Sequence, residues 1–243
     1  MSVPEVKHKN LMYEQNRKSL NWFVGCRHEC VYCKPSFQAQ MKRQLHNCKT
    51  CYLFEPHAHL ERLTKAPPKT NNGEFIFFPS SGDPIYASQE EWKKAIEFCK
   101  KWTDRIFLIQ SKDPYCFLPF VFPDNVVLDA TLETDLIWFT DSPSVYKNYR
   151  EISKAPEPCW RADAMIKLKH KHKAVTIEPI LEFSMWLADW IYAIKPEFVY
   201  VGYDNHNCRL PEPALARTKE LIKELEKFTE VRLKTIRKAW WEK

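Results

Sequence analysis

The sequence predicts an α/β protein built as a single incomplete (β/α) barrel, a partial TIM barrel of six to seven parallel strands. Short runs rich in Val, Ile and Phe recur along the chain, and the middle ones are apolar on both faces, as parallel strands covered by helices are. Amphipathic helical patterns fall between them, so strand alternates with helix. Polar and ionisable residues gather where the runs end, and the C-terminal strand ends are where such barrels carry their chemistry.

The first run, "LNWFVG" (20–25), leads straight into "GCRHECVYCKP" (25–35), after which Phe37, Met41 and Leu45 repeat every four residues. "TKAPPKTNNG" (64–73) reads as a surface loop before the second run, "EFIFFPSSG" (74–82), which ends in "SSGD" (80–83). In "QEEWKKAIEFCKKW", Trp92, Ile96, Cys99 and Trp102 share a helical stripe. The third run, "RIFLIQSK" (105–112), ends in Lys112 and Asp113, and the fourth, "NVVLDATLE" (125–133), ends in Glu133. The fifth, "AVTIEPIL" (174–181), carries Glu178, and the sixth, "EFVYVGYD" (197–204), opens into "GYDNHNC" (202–208). Pro211 and Pro213 open a charged helix with Leu221, Leu225 and Phe228 on one face, and a weaker, alternating seventh run, "EVRLKTI" (230–236), follows.

The 243 residues suffice for one domain with a sizeable core. With no linker and no internal repeat, the whole chain, 1–243, reads as one domain with a Cys/His-containing insertion at about 46–63. No apolar run approaches the ~20 residues of a membrane span. The segment 1–20 lacks the apolar stretch of a secretory signal, so a cytoplasmic location and no membrane partner are expected. Nine cysteines in such a chain suggest metal or redox chemistry rather than disulfides. The net charge of +6 suits a nucleic-acid or phosphate-bearing substrate without demanding one. Only four glycines are present, where ordinary usage would give roughly 17. Three of them, Gly25, Gly82 and Gly202, follow strand-like runs, where they would let backbone turn sharply or approach a ligand.

Cys26, Cys30 and Cys33 stand within eight residues. A cubane iron–sulfur cluster is usually held by four thiolates, so three leave one iron open. The Cys-x3-Cys-x2-Cys spacing, with Tyr32 before the last cysteine, resembles the signature of the radical SAM superfamily. That resemblance implies a partial or full (β/α) barrel and a [4Fe–4S] cluster on Cys26, Cys30 and Cys33. It also implies S-adenosylmethionine chelated at the open iron and its reductive cleavage to a 5′-deoxyadenosyl radical that takes hydrogen from a substrate. A reductant of ferredoxin or flavodoxin type is implied as partner. The family's glycine-rich element after the second strand appears here only as "SSGD", which is similar to the Ser-rich version in the spore photoproduct lyase branch, where a Lys near the third strand assists. The cofactor-binding candidates are then Tyr32, Ser80, Ser81, Gly82, Asp83 and Lys112, joined by Glu133 and Glu178, charged groups at buried strand ends that contact the cofactor or pair with a rim Lys. "FEPHAHLERL" (54–63) and the general layout look similar to a short group found in phages and prokaryotes, itself distantly similar to spore photoproduct lyase. In that lyase a late cysteine donates a hydrogen atom to a product radical, a role that Cys208, or Tyr203 beside it, would take here. The same likeness, with the charge and aromatic content, leans toward a nucleobase or nucleic-acid lesion as substrate; a peptide or small metabolite is the alternative.

Two other function classes compete. Cys30-x2-Cys33 and Cys48-x2-Cys51 have the spacing of a structural zinc site, and the chain would then be a zinc-dependent nucleic-acid-binding protein. A non-catalytic iron–sulfur sensor is the other. If the first three cysteines hold a cluster, Cys48 and Cys51 with His57 and His59 are candidate zinc ligands; a second iron–sulfur cluster or two free thiols are the alternatives. Blander readings cover the rest. Cys99, Cys116 and Cys159 read as packing residues. "KLKHKHK" (167–173) reads as a basic helix end, and Trp240 and Trp241 as packing over the barrel's open side. Asp204 and His206 either touch substrate or cap their loop.

Overall fold

β-Branched and aromatic side chains suit a pleated backbone buried on both sides, and the apolar runs become strands. The computed structural model describes residues 18–71 and 73–243. Residues 1–17 of the segment read for a leader, and Asn72 of the "NNG" turn, lie outside the described residues. The strands are β1 (Lys18–Ser19), β2 (Phe23–Val24), β3 (His57–Ala58), β4 (Ile76–Phe77), β5 (Phe107–Ser111), β6 (Val126–Thr131), β7 (Lys173–Ile177), β8 (Phe198–Val201) and β9 (Glu230–Leu233). Seven of them form one sheet in the order β1-β4-β5-β6-β7-β8-β9, and every pairing is parallel. The sheet curls into a half-barrel, as a partial (β/α) barrel requires.

The helices are α1 (Ala39–Met41), α2 (Lys49–Leu53), α3 (Gln89–Lys101), α4 (Tyr149–Ile152), α5 (Pro158–Lys167), α6 (Trp186–Ile194) and α7 (Leu215–Leu225). α3 starts where Ser88 and Glu91 form a reciprocal capping box, and its stripe buries Trp92, Ile96 and Cys99. The apolar faces of α3, α5, α6 and α7 meet the outer sheet face, including Ile109, Leu128, Val175 and Val199, in the main core.

The opposite face changes character along the strands. Leu108, Val127, Ala174 and Phe198 form an apolar layer at one end. Two residues further on, by strand alternation, stand Gln110, Asp129, Thr176 and Tyr200, and then Lys112, Thr131 and Glu178. The sheet therefore presents its ionisable groups at the C-terminal rim, as the sequence suggested.

Three local expectations change. The first run supplies the sheet only at its start: β1 precedes it, the Leu20 amide donates to the Phe77 carbonyl at 3.0 Å, and β2 pairs antiparallel with β3 instead. Phe37, Met41 and Leu45 join no buried cluster, because the chain after Cys33 is a string of short helical turns. Cys159 is exposed, since α5 turns Pro158, Arg161, Ala162, Ala164 and Met165 inward instead. The basic run behaves as a helix end: Lys173 donates to the Met165 carbonyl, while His170 and His172 bond Val126 and Glu197. No helix among the described residues is long and apolar enough to cross a membrane.

Asp129 is buried within this sheet, with one oxygen 2.8 Å from the Thr176 hydroxyl and the other without a partner. Burial pushes its carboxyl up to about 7, against about 3.9 in an unfolded chain. Between those values the native state binds the extra proton, so the group's contribution to stability falls as pH rises from about 4 to 7. The Asp129→Asn variant should therefore gain on the wild type across that window in urea denaturation. A pH-independent difference would contradict this account.

Candidate functional site

The cysteine loop leaves the sheet where three backbones converge. Gly25, at φ +95°, bridges to Gly82: its amide donates to the Ser81 carbonyl (3.0 Å), and the Asp83 amide donates to the Gly25 carbonyl (3.1 Å). A Cβ on Gly25 would sit 2.3 Å from the Glu55 carbonyl carbon, and one on Gly82 would sit 2.7 Å from the Gly25 backbone. The glycines thus permit close approach of backbone to backbone. Gly202 lies against Lys234 Cβ, a Glu178 carboxylate oxygen and the Thr235 amide nitrogen, which a Cβ would approach to 2.8, 3.2 and 3.3 Å.

Beyond Gly25, the Cys26 amide donates to the Phe54 carbonyl, and Cys30 begins a short turn through Cys33. Cys30 is buried and hydrogen-bonded to the Ser153 hydroxyl at 3.1 Å; Cys26 and Cys33 are half-buried. The Cys33 thiol, with Lys112 and Ser153, holds Cys30 down to about 5 against the effect of burial. Cys33 is pushed up by its bond to Cys30, and Cys26 by burial and by Asp83. Of the three thiols, Cys30 is therefore the one whose ionised form the surroundings favour. Among the described residues the sets with all ligand atoms within 4.8 Å of one another are Cys48/Cys51/His57/His59 and Cys26/His28/Asp83, so the three loop thiols as a set are spread wider than one ion needs.

Asp83, at the end of "SSGD", accepts from the Ser111 hydroxyl (2.6 Å), the Lys112 amide (2.7 Å) and the Ile85 amide (3.1 Å) and lies 3.0 Å from His28 Nε2. Burial alone would raise its pKa, but His28, Ser111 and the Lys112 amide hold it below the usual range. Tyr86 closes the group at 3.3 Å from His28 Nδ1. Ser80 and Ser81 are committed elsewhere. Asn21 Oδ1 accepts from both their amides and from the Ser80 hydroxyl, and Asn21 Nδ2 donates to the Ser81 hydroxyl. Both amides and the Ser80 hydroxyl are thus spent on the turn, while the Ser81 hydroxyl serves there as an acceptor.

Glu133, fully buried, is the hub of the rim. Its Oε1 accepts from Tyr32 (2.6 Å) and from the Lys112 ammonium, and its Oε2 accepts from Arg161 (2.7 Å). Tyr149 donates to it at 3.2 Å and is itself held by Arg161 at 2.7 Å. Burial would raise the Glu133 pKa, but Arg161 and Lys112 hold it well below the usual carboxylate range. The Lys112 ammonium also lies 5.1 Å from the Tyr32 ring centroid. Tyr32, Asp83, Lys112 and Glu133 are therefore brought together with the cysteine loop, as expected.

Glu178 belongs to a neighbouring group. It pairs with Lys234, its other oxygen has no partner, and burial, only partly offset by Lys234, raises its pKa. Asp204 accepts from the His206 and Cys208 amides (3.0 and 2.7 Å) and so caps its loop. Cys208 packs on the apolar cluster that contains Cys30, Tyr32 and Tyr149, and burial with Asp204 pushes its thiol up to about 12. Tyr203 points away from this rim, into the main core, its hydroxyl 2.6 Å from Thr218 and donating to the Pro213 carbonyl (3.1 Å). Trp240 and Trp241 donate to the Leu210 and Glu212 carbonyls, clamping the segment after Cys208.

The insertion forms a second centre. Cys51 Sγ lies 3.4 Å from His57 Nε2 and 3.1 Å from His59 Nε2, Cys48 Sγ lies 3.5 Å from His57 Nε2, and the two Nε2 atoms are 2.9 Å apart. The pair Cys48/Cys51 closes on these histidines, which corrects the four-cysteine alternative that joined it to Cys30 and Cys33. The sequence reading missed Asn21, His28, Tyr86, Tyr149, Arg161 and Lys234. The one local signal was Arg161, a charged residue on the otherwise apolar stripe of α5. No family model matches this chain, and no curated protein sequence matches it.

Glu133→Gln would leave Lys112 and Arg161 facing each other without their anion. The expected loss is about 3–5 kcal/mol in denaturant unfolding. Because Glu133 is depressed in the fold, the stability it brings is present above about pH 4 and drains as pH falls below. The variant should lack that acid-side slope. Unchanged stability at pH 7 would show that the hub does not hold the rim.

Proposed function

We propose that the chain is a radical SAM enzyme, with Cys26, Cys30 and Cys33 as the three thiolate ligands of a [4Fe–4S] cluster. The observation that carries this reading is the placement of three thiols on one loop, at the C-terminal rim of a half-barrel, against a buried network of Lys112, Glu133, Asp83 and Tyr32. The donor set fits: three thiols of one loop offer three of the four ligands a cubane cluster takes, and the surroundings of Cys30 favour its thiolate. When bound, the cluster and S-adenosylmethionine supply reductive cleavage to a 5′-deoxyadenosyl radical.

The chain's own residues have separate tasks. Lys112, fixed by Glu133 and Asp83, holds a positive charge beside Cys30 and favours its thiolate. Phe139, Ile152, Leu181 and Leu210 pack around Cys30 and exclude water. Cys208, on the edge of that cluster, keeps its proton and is the hydrogen-atom donor in this reading; Tyr203, turned into the core, is not. The substrate side favours a planar base. Trp138, 64% exposed, stands on the loop after β6, and Trp186, 68% exposed, opens α6 at the end of the loop after β7. Those loops are tied together by Asp135 and Ser184, and exposed indoles stack on nucleobases. An electron donor of ferredoxin or flavodoxin type completes the scheme.

Anaerobic reconstitution tests it. Wild-type protein should take up about four irons per chain, turn brown, and release 5′-deoxyadenosine from S-adenosylmethionine under reductant. Cys26→Ala, Cys30→Ala and Cys33→Ala should each lose both properties. Cleavage that survives Cys26→Ala would remove the reading, and iron uptake without any cleavage would favour an iron–sulfur sensor.

A further inference from the structure

His57 and His59 leave β3 two residues apart, and the hydrogen bonds on their outer nitrogens fix which atoms face each other. His57 Nδ1 lies 2.7 Å from the Glu55 carbonyl, and His59 Nδ1 lies 2.8 Å from a Glu61 carboxylate oxygen. A carbonyl and a carboxylate only accept, so both Nδ1 atoms carry a hydrogen, which leaves Nε2 as the nitrogen free to bind a metal. The two Nε2 atoms stand 2.9 Å apart. Two thiols join them at 3.1–3.5 Å. Two imidazole nitrogens and two thiol sulfurs facing one point are the donor set of a soft or borderline metal cation.

The spacings indicate which cation. Zinc bound by sulfur at about 2.3 Å and nitrogen at about 2.0–2.1 Å forms a tetrahedron with edges of roughly 3.5 Å between S and N and roughly 3.3 Å between N and N. Three of the four S–N distances, 3.5, 3.4 and 3.1 Å, and the N–N distance of 2.9 Å match those edges or fall short of them by up to roughly 0.5 Å. The Glu55 carbonyl and Glu61 carboxylate are the outer partners that metal-bound histidines have. Four protein ligands leave no open position, which is the mark of a structural site rather than a catalytic one.

The fold says what such an ion would hold. Cys48 caps α2, and Cys51 lies within it. His57 and Ala58 pair with Val24 and Phe23, directly before the cysteine loop, and the His59 amide donates to the Trp22 carbonyl at 2.6 Å. Between the two ligand pairs, Phe54 accepts from the Cys26 amide and Glu55 packs on Gly25. We infer that Cys48, Cys51, His57 and His59 bind one structural zinc ion, which pins segment 48–59 against the base of the Cys26–Cys33 loop. The zinc site stands by itself; its service to an iron–sulfur cluster rests on the function proposed above.

Metal analysis of the purified full chain separates the two. Wild type should carry about one zinc per chain, and Cys48→Ala and His57→Ala should reduce it to under ~0.2. His57→Cys keeps a four-ligand set and should retain zinc, which guards against mere misfolding. Cys26→Ala and Cys30→Ala should also retain zinc while losing iron. Cobalt substitution should give the intense visible bands of tetrahedral thiolate coordination, absent in Cys48→Ala. Zinc-free wild type whose Cys48 and Cys51 are alkylated equally fast with and without chelator would overturn the site. Zinc loss in Cys30→Ala with retention in His57→Ala would overturn the ligand assignment.

Discussion

A carboxylate with no exposed surface needs its charge answered from within the protein, and Glu133 receives two cations. Arg161 comes from α5 and Lys112 from the end of β5, so one ion-pair set fastens two separate crossovers to the tip of β6. Tyr149 from α4 and Tyr32 from the cysteine loop fill the remaining lone pairs. Desolvating three charges is costly, and their mutual attraction offsets that cost only while every partner stays in place. The groups around the cysteine loop are tied to one another for that reason.

The cysteine loop hangs between this hub and two other constraints. On one side, Asp83 links His28 of the loop to Ser111 and the Lys112 backbone. On the other, Gly25 lets the loop's base pass within contact of Glu55 and Pro56, which lie inside the Cys/His insertion. Burial, charge and close backbone approach thus converge on about ten residues. A site of this kind is preorganised before any ligand arrives, since movement of one part would strand a buried charge in another. The scarcity of glycine fits this use: two of the four glycines make the approach that joins the loop to its neighbours.

Much of this was written in local pattern. The alternation of apolar runs with amphipathic stretches was enough for a parallel half-barrel, because periodicity acts within a window of a few residues. Charged residues ending those runs placed Lys112, Asp83 and Glu133 at one rim, and all three meet there. Local pattern failed where a neighbour in space outweighed it. β2 leaves the sheet because β3, more than thirty residues later, captures it. Tyr203 sits among rim residues in sequence, yet Thr218 of α7 takes its hydroxyl into the core.

Sequence alone determined the alternation of strand with helix, the three-thiol spacing and the presence of a second Cys/His group, since each depends on residues close along the chain. Tertiary structure alone decided that Cys48 and Cys51 close on His57 and His59 rather than on Cys30 and Cys33. It alone chose Arg161 and Tyr149 for Glu133, His28 for Asp83 and Asn21 for the serine turn. Partners of that sort are set by which elements pack together, and a buried charge takes whichever counter-charge the packing delivers, at any distance in sequence.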